Sequence, residues 1–290
     1  MRTVLHPRAK LNLGLRILRR RDDGYHDINS VFQTISLRDE LEIRAVRGSG
    51  RITLSCSDEV PSGPGNLAWK AASVFMEISG EKLDVSIRLL KRIPSRAGLG
   101  GGSSDAASVL AGLASLTGRD DLDLHSAALM LGSDVPFFMK GGAALVEGRG
   151  GSISPVAIVP FHAVLIYPGV SVSTPEAYAM WDSESARYLT NSDMIRHDSA
   201  SSAVWHEGKP FPHDLRNDFL PLLEKHIPEI AEVARFMRDS RCDDWGLSGS
   251  GPTFYALFRN EAGACDFSKE LRWRSSTCRS ANTAGASSNG

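Results

Sequence analysis

Four cysteines in 290 residues, Cys56, Cys242, Cys265 and Cys278, contain no CxxC pair. That excludes a paired zinc-ligand pattern and a disulfide framework, and predicts reduced thiols in a cytoplasmic protein. No apolar run approaches the roughly 18 residues that a membrane helix needs. The opening MRTVLHPRAK reaches charge and proline too soon for an apolar export signal. Charge of one sign is missing as well. With 33 Lys and Arg against 34 Asp and Glu, the formal net charge is −1, so no global field favours nucleic acid or an anionic membrane surface. Any bound phosphate needs a local site. There is no internal repeat. What remains is an ordinary folding composition, 42% hydrophobic and 23% charged, long enough for two domains.

Apolar and polar residues alternate from Leu37 to Val46 and again at Val85, Ile87 and Leu89, the period of strands with one buried face. The run IPSRAGLGGGSSDAA follows, and Ala106, Ala107, Leu110, Leu113 and Ala114 then recur at helical spacing until Gly118 offers a C-cap. The order is strand, glycine loop, helix. A second helical stretch, Leu124 to Leu131, ends at GSDVPFF, and Phe161 to Tyr167 reads as a strand. Residues from Trp181 to Pro212 are polar and irregular, as in a surface excursion. Asn217 to Arg238 reads as helix interrupted near Pro228, and GLSGSGPT leads into a strand through Phe254, Ala256 and Phe258. The small, polar residues 280–290 predict a disordered tail. A domain boundary is expected near residue 158, within about ten residues, giving domains 1–158 and 159–279.

Gly100, Gly101 and Gly102 allow positive φ angles and let a ligand touch the main chain. Ser103, Ser104 and Asp105 then open a helix, whose unpaired N–H groups and positive dipole end suit phosphate. The same residues also suit a tight structural turn with a serine N-cap. Of two familiar nucleotide loops, the first is excluded and the second only weakly matched. No lysine follows the final glycine as a P-loop requires, and Gly98, Gly100 and Ser103 meet only two positions of Gly-x-Gly-x-x-Gly.

The run IPSRAGLGGGSSDAA resembles the second motif of the GHMP kinases, PRAKLNLGLRI at Pro7 to Ile17 the first, and GLSGSGPTFYALF at Gly246 to Phe258 the third. They occur in family order across nearly the whole chain. AKLNLGL, DGYHDINSVFQTI, LGSDVPFF and PGVSVSTPEAY further resemble the branch of that family acting on diphosphocytidyl-methylerythritol. The resemblance implies an α+β fold of two domains: an N-terminal ATP-binding domain similar to the second domain of ribosomal protein S5, and a ferredoxin-like C-terminal domain on the substrate side. The active site would lie in the cleft between them. It implies Mg2+ and ATP as cofactors, and phosphorylation of the 2-hydroxyl of the methylerythritol unit in the non-mevalonate route to isoprenoid precursors. The expected partner is that small molecule alone, with no nucleic acid or membrane, the protein being a monomer or weak homodimer.

By resemblance, Asp134 is the catalytic base, in a segment where Val135, Pro136, Phe137 and Phe138 could exclude water. Read without it, Asp134 equally suits a cap on a turn opened by Pro136. Lys10 matches the lysine beside that aspartate, and its place in an apolar strand suits a paired, buried ammonium. Asn12 would share its strand face and reach the acceptor's diol. Tyr25 and His26 match cytosine contacts, with Tyr178 as a second aromatic able to sandwich the ring and Thr174 as a hydroxyl contact. On the ATP side stand Gly98, Leu99, Gly100, Gly101, Gly102, Ser103 and Ser104 for phosphates, with Asn66 and Lys91 near adenosine. Ser104 could also orient the metal, no carboxylate cage being evident. Rival readings are a relative with another acceptor, such as homoserine or mevalonate, and a catalytically silent nucleotide-binding protein. The cytidine-side segments oppose the first, and the presence of Lys10 and Asp134 the second.

Overall fold

The computed structural model describes residues 1–57, 60–184 and 215–281. Most of the excursion read at 181–212, and the tail from residue 282 onward, lie outside the described residues. The N-terminal elements are β1 (Arg2–Leu5), β2 (Arg8–Arg20), β3 (His26–Arg38), β4 (Glu40–Arg47), β5 (Ile52–Cys56), α1 (Leu67–Ser79), β6 (Leu83–Leu90), α2 (Gly101–Thr117), α3 (Leu124–Leu131), α4 (Val135–Lys140), β7 (Ala143–Gly148) and β8 (Ser152–Pro155). They form two sheets, ordered β1-β4-β6-β5 and β2-β3-β7-β8.

The first sheet follows from its period of two. Leu41, Ile43 and Ala45 of β4, with Leu83, Val85, Ile87 and Leu89 of β6, are buried in one core with Ala68, Ala72 and Phe75 of α1 and Val109, Leu110 and Leu113 of α2. β2 and β3 are different, being buried along most of their length. Their sheet is covered on both faces. Phe32 belongs to the core with Phe137 and the helices, whereas Leu11, Leu13, Val31 and Ile35 join a second core with Phe161, Leu165, Tyr255 and Leu257 from the C-terminal half.

That half comprises β9 (His162–Tyr167), α5 (Thr174–Glu184), α6 (Leu220–His226), α7 (Pro228–Arg238), β10 (Asp244–Leu247), β11 (Phe254–Phe258), α8 (Glu261–Glu270) and β12 (Arg274–Arg279). Its antiparallel sheet runs β10-β11-β9-β12, the strand order of a ferredoxin-like βαββαβ unit. The break read near Pro228 separates α6 from α7, because the residue before proline is driven out of helical geometry: Ile227 is extended, with φ −127° and ψ 101°. Two readings need correction. Trp181 to Glu184 continue α5, Trp181 being buried with Phe219 and Val233. At the start of the expected tail, Ser280 pairs with Ile35, and the Ala281 amide donates to Thr34 at 2.9 Å.

The chain leaves the N-terminal sheets at Pro155 and enters the C-terminal one at His162. Among the described residues no helix is long and apolar enough to cross a membrane. Because one core is shared between the halves, Leu11→Ala should cost about 2–5 kcal/mol by cavity formation. Thermal unfolding followed by calorimetry should show one transition shifted downward, not a separate early loss of one half.

Candidate active site

A cavity of about 550 Å³ opens where the glycine loop, β2, the start of α4, α5 and the 246–253 loop meet. α2 begins one turn earlier than the serines suggested. Gly100, with φ 69° and ψ 16°, is the N-cap, and no side chain bonds the free N–H groups of the first turn. Neither serine is the cap, so those donors remain free for an anion. Gly98 shows why the loop must be glycine. It has φ 73°, and a Cβ there would lie 2.1 Å from the Ser248 carbonyl oxygen. Ser248 Oγ donates to the Gly98 carbonyl at 2.9 Å and accepts from the Asn12 amide at 3.2 Å. The third motif therefore grips the second. Asn217 braces that grip by donating to the carbonyls of Leu247 and Gly249, both at 2.8 Å.

Lys10 enters the cavity from β2 with 3% exposure. Its ammonium donates to Asn12 Oδ1, lies 3.5 Å from Asp134 Oδ2 and sits 4.5 Å from the centroid of the Phe32 ring. Burial holds the lysine below its ordinary pKa, and the Asp134 carboxylate opposes that shift. Asn12 projects from the same strand face, as the alternation required, and its amide donates to Ser30 Oγ at 3.0 Å. Asp134 precedes α4 but makes no capping hydrogen bond. Its carboxylate is thus not used as a cap and lines the cleft. Leu99 contributes its carbonyl, accepting from the Lys10 amide at 3.0 Å.

The other expected contacts divide. Asn12, Thr174, Tyr178, Asn66, Lys91, Gly98 to Gly102 and Ser103 line the cavity. Ser104 is 1% exposed and, unlike Ser103, is not part of the cavity wall. Asn66 uses its side chain to cap α1, accepting from the Ala68 amide at 2.9 Å. Thr174 Oγ1 lies 3.0 Å from Ser250 Oγ. Tyr25 and His26 are not part of the cavity wall, whereas Tyr178 is. Tyr178 stacks on His26 at 4.8 Å and meets Phe219 edge-on at 4.9 Å, while Tyr25 is 48% exposed with the Arg149 guanidinium 3.6 Å over its ring. Burial and the Asp134 charge raise the Tyr178 phenol. His26 Nε2 is 2.7 Å from Asp182 Oδ1.

Sequence reasoning missed Asp39, Asp182 and Phe219 as parts of this neighbourhood. None stands at a motif spacing, and Phe219 read only as one apolar residue of a helix. Lys91 Nζ reaches Asp39 Oδ2 at 2.5 Å and Asp105 Oδ2 at 2.9 Å. Asp105 Oδ1 is buried without a partner. Burial, helped by the Asp39 charge and a hydrogen bond between the two carboxyl groups, pushes the Asp105 carboxyl up to about 7 despite Lys91.

An uncapped, glycine-opened helix facing a paired lysine and aspartate, in a cleft roofed by a ferredoxin-like half, defines a phosphotransferase of the GHMP kinase type. Residues 66–142 match the GHMP kinase N-terminal domain model and residues 210–272 the C-terminal one. A 4-diphosphocytidyl-2-C-methyl-D-erythritol kinase of Geobacter sulfurreducens is 38% identical over 92% of this chain and 94% of that protein. One from Solibacter usitatus is 39% identical over 87% of this chain and 80% of that protein. A crystal structure of 4-(cytidine 5'-diphospho)-2C-methyl-D-erythritol kinase superimposes with a TM-score of 0.74 at 32% identity, covering 97% of this chain and all of that one. Homoserine kinase from Cytophaga hutchinsonii, at 17% identity and a TM-score of 0.69 over 98% of this chain and 96% of that one, shares the fold. The chain belongs to the 4-diphosphocytidyl-2-C-methyl-D-erythritol kinase family of GHMP kinases.

The Asp105 shift has a measurable consequence. The folded protein keeps this proton up to about pH 7, whereas the unfolded chain releases it near 3.8. Within that window the folded state binds more protons, so this group's contribution to stability falls as pH rises. Asp105→Asn should flatten that part of the profile, read as melting temperature against pH.

Proposed function

We propose that the chain transfers the γ-phosphate of ATP to the 2-hydroxyl of 4-diphosphocytidyl-2-C-methyl-D-erythritol, in the non-mevalonate route to isoprenoid precursors. The observation that carries this reading is the Asp134 carboxylate, free of any capping role and 3.5 Å from the buried Lys10 ammonium. Phosphoryl transfer asks a protein mainly for positioning and charge stabilisation, with one group to take the hydroxyl proton. Asp134 takes it. Lys10 sets its ammonium beside that carboxylate and polarises the attacking oxygen, while Asn12 orients both the ammonium and the acceptor's diol.

The triphosphate lies along Gly98 to Ser103, with oxygens on the free N–H groups opening α2, and the adenosine extends toward Asn66 and Lys91. Among the described residues no cluster of three metal-binding side chains exists. A magnesium ion there would be held largely by phosphate oxygens and water, with the Ser103 hydroxyl and the Asp134 carboxylate as protein oxygens on the same cavity wall. Bound there, the ion would neutralise charge on the transferring phosphoryl group. At the other end, Thr174 and Tyr178 bound the acceptor's path. Cytosine stacks on Tyr25, within reach of His26. Since His26 already covers Tyr178, a two-sided aromatic sandwich needs a rearrangement of α5.

One assay tests the reaction: purified protein, Mg-ATP and the cytidyl-methylerythritol substrate, with ADP release compared against galactose, homoserine and mevalonate. Only the cytidyl substrate should turn over, and equal release with another acceptor would sink the assignment. Asp134→Asn should lower kcat by about 10²- to 10⁴-fold, the usual scale of general-base catalysis, with ATP binding retained. Tyr25→Ala should raise KM for the cytidyl substrate by the equivalent of about 1–3 kcal/mol, the scale of base–aromatic stacking. Steady-state kinetics on each variant check both.

A further inference from the structure

Lys91 follows β6 on the cavity wall, yet its ammonium is turned inward between two carboxylates. The two are not equivalent. Asp39, at the β3–β4 corner, is fixed by the main chain on every side: Oδ1 accepts the amides of Arg92 and Ile93 at 2.6 and 2.8 Å, and its own amide donates to the Pro7 carbonyl at 2.8 Å. Its side chain is fully buried. Asp105 holds Lys91 through Oδ2, and its buried Oδ1 has no hydrogen-bond partner. Asp39 is therefore the partner anchored by main-chain amides, which Asp105 is not.

The position so fixed is informative. A Cβ built on Gly101 would come 3.2 Å from Lys91 Nζ, so the ammonium rests against the first residue of α2, beside the N–H groups that no side chain caps. An ammonium carries three N–H donors. Two are occupied by Asp39 and Asp105, which leaves one for the cavity. Without an anchor, a lysine's four-carbon stem samples many rotamers and loses entropy on binding a ligand. We infer that Asp39 is a positioning residue for nucleotide binding: it seats Lys91 against Gly101, so that the remaining N–H meets ATP. This rests on the reading of the glycine-loop cleft as the ATP site. Asp39 acts only through Lys91 and touches no substrate.

The test is a double-mutant cycle with Asp39→Asn, Lys91→Met and the pair together. ATP affinity is measured by titrating a fluorescent ATP analogue, alongside kcat and KM for both substrates. Asp39→Asn keeps an oxygen for the Arg92 and Ile93 amides but removes the charge facing Lys91. It should weaken ATP binding about tenfold or more, on the scale of losing a charged hydrogen-bond partner. Turnover at saturating ATP and KM for the cytidyl substrate should stay within about threefold. The double variant should bind ATP no more weakly than Lys91→Met alone. Multiplicative losses, or ATP affinity unchanged in either single variant, would overturn the inference. A lowered melting temperature with unchanged ATP affinity would mark a merely structural tie and overturn it too. Should Asp39→Asn alone fail to fold, the double variant, which lacks the stranded ammonium, is compared with Lys91→Met: equal affinity supports the positioning role, and further weakening overturns it. Wild-type protein that binds no ATP analogue would sink the cleft reading together with this one, whereas wild-type binding with multiplicative losses removes the positioning role alone.

Discussion

An ammonium group taken out of water must find negative or π-electron partners, and much of this cleft is arranged around that constraint at Lys10. Its strand is covered on both faces, by helices on one side and by the C-terminal sheet on the other. Such burial is costly for a charge unless partners converge on it. Asn12, Asp134 and the Phe32 ring do so from β2, the start of α4 and β3. The requirement in turn fixes Asp134: a carboxylate needed by a buried lysine is withheld from capping its own helix. The chemistry and the packing thus share one cause.

The second constraint is close backbone approach. Gly98 lies so near the Ser248 carbonyl that no side chain fits between them, and Ser248 Oγ ties the Gly98 carbonyl to the Asn12 amide. Three sequence motifs far apart in the chain meet at this one hydroxyl. The shape of the glycine loop is consequently not a property of the N-terminal half alone, because the C-terminal half holds it in place. The buried triad of Asp39, Lys91 and Asp105 does similar work on the opposite flank, joining the β3–β4 corner, the end of β6 and the first helical turns of α2.

Much of the fold was legible where one physical pattern acts alone. Alternation at Leu41 to Ala45 and from Leu83 to Leu89 marked strands with one face in water, and Gly118 and Pro228 marked helix ends through backbone restrictions that need no tertiary context. The hairpin of β2 and β3 gave a weaker signal, since burial on both faces erases alternation. The helix start was misplaced at the serines for a related reason: glycines read as loop, but here they open α2 while leaving its amides free.

By itself, the sequence determined which chemical groups were present and in what local order: a glycine loop followed by a helix, a lysine and an asparagine two apart on one strand, and an aspartate two residues before a proline. Those follow from residue type and chain geometry over a few positions. Only the tertiary structure decided that Asp134 faces Lys10 instead of capping α4, that Ser104 is buried while Ser103 is not, that Tyr178 lies on His26, and that Asp39 holds Lys91. Each of these depends on contacts between elements distant in the chain, whose partners are set by packing and carry no local sequence signature.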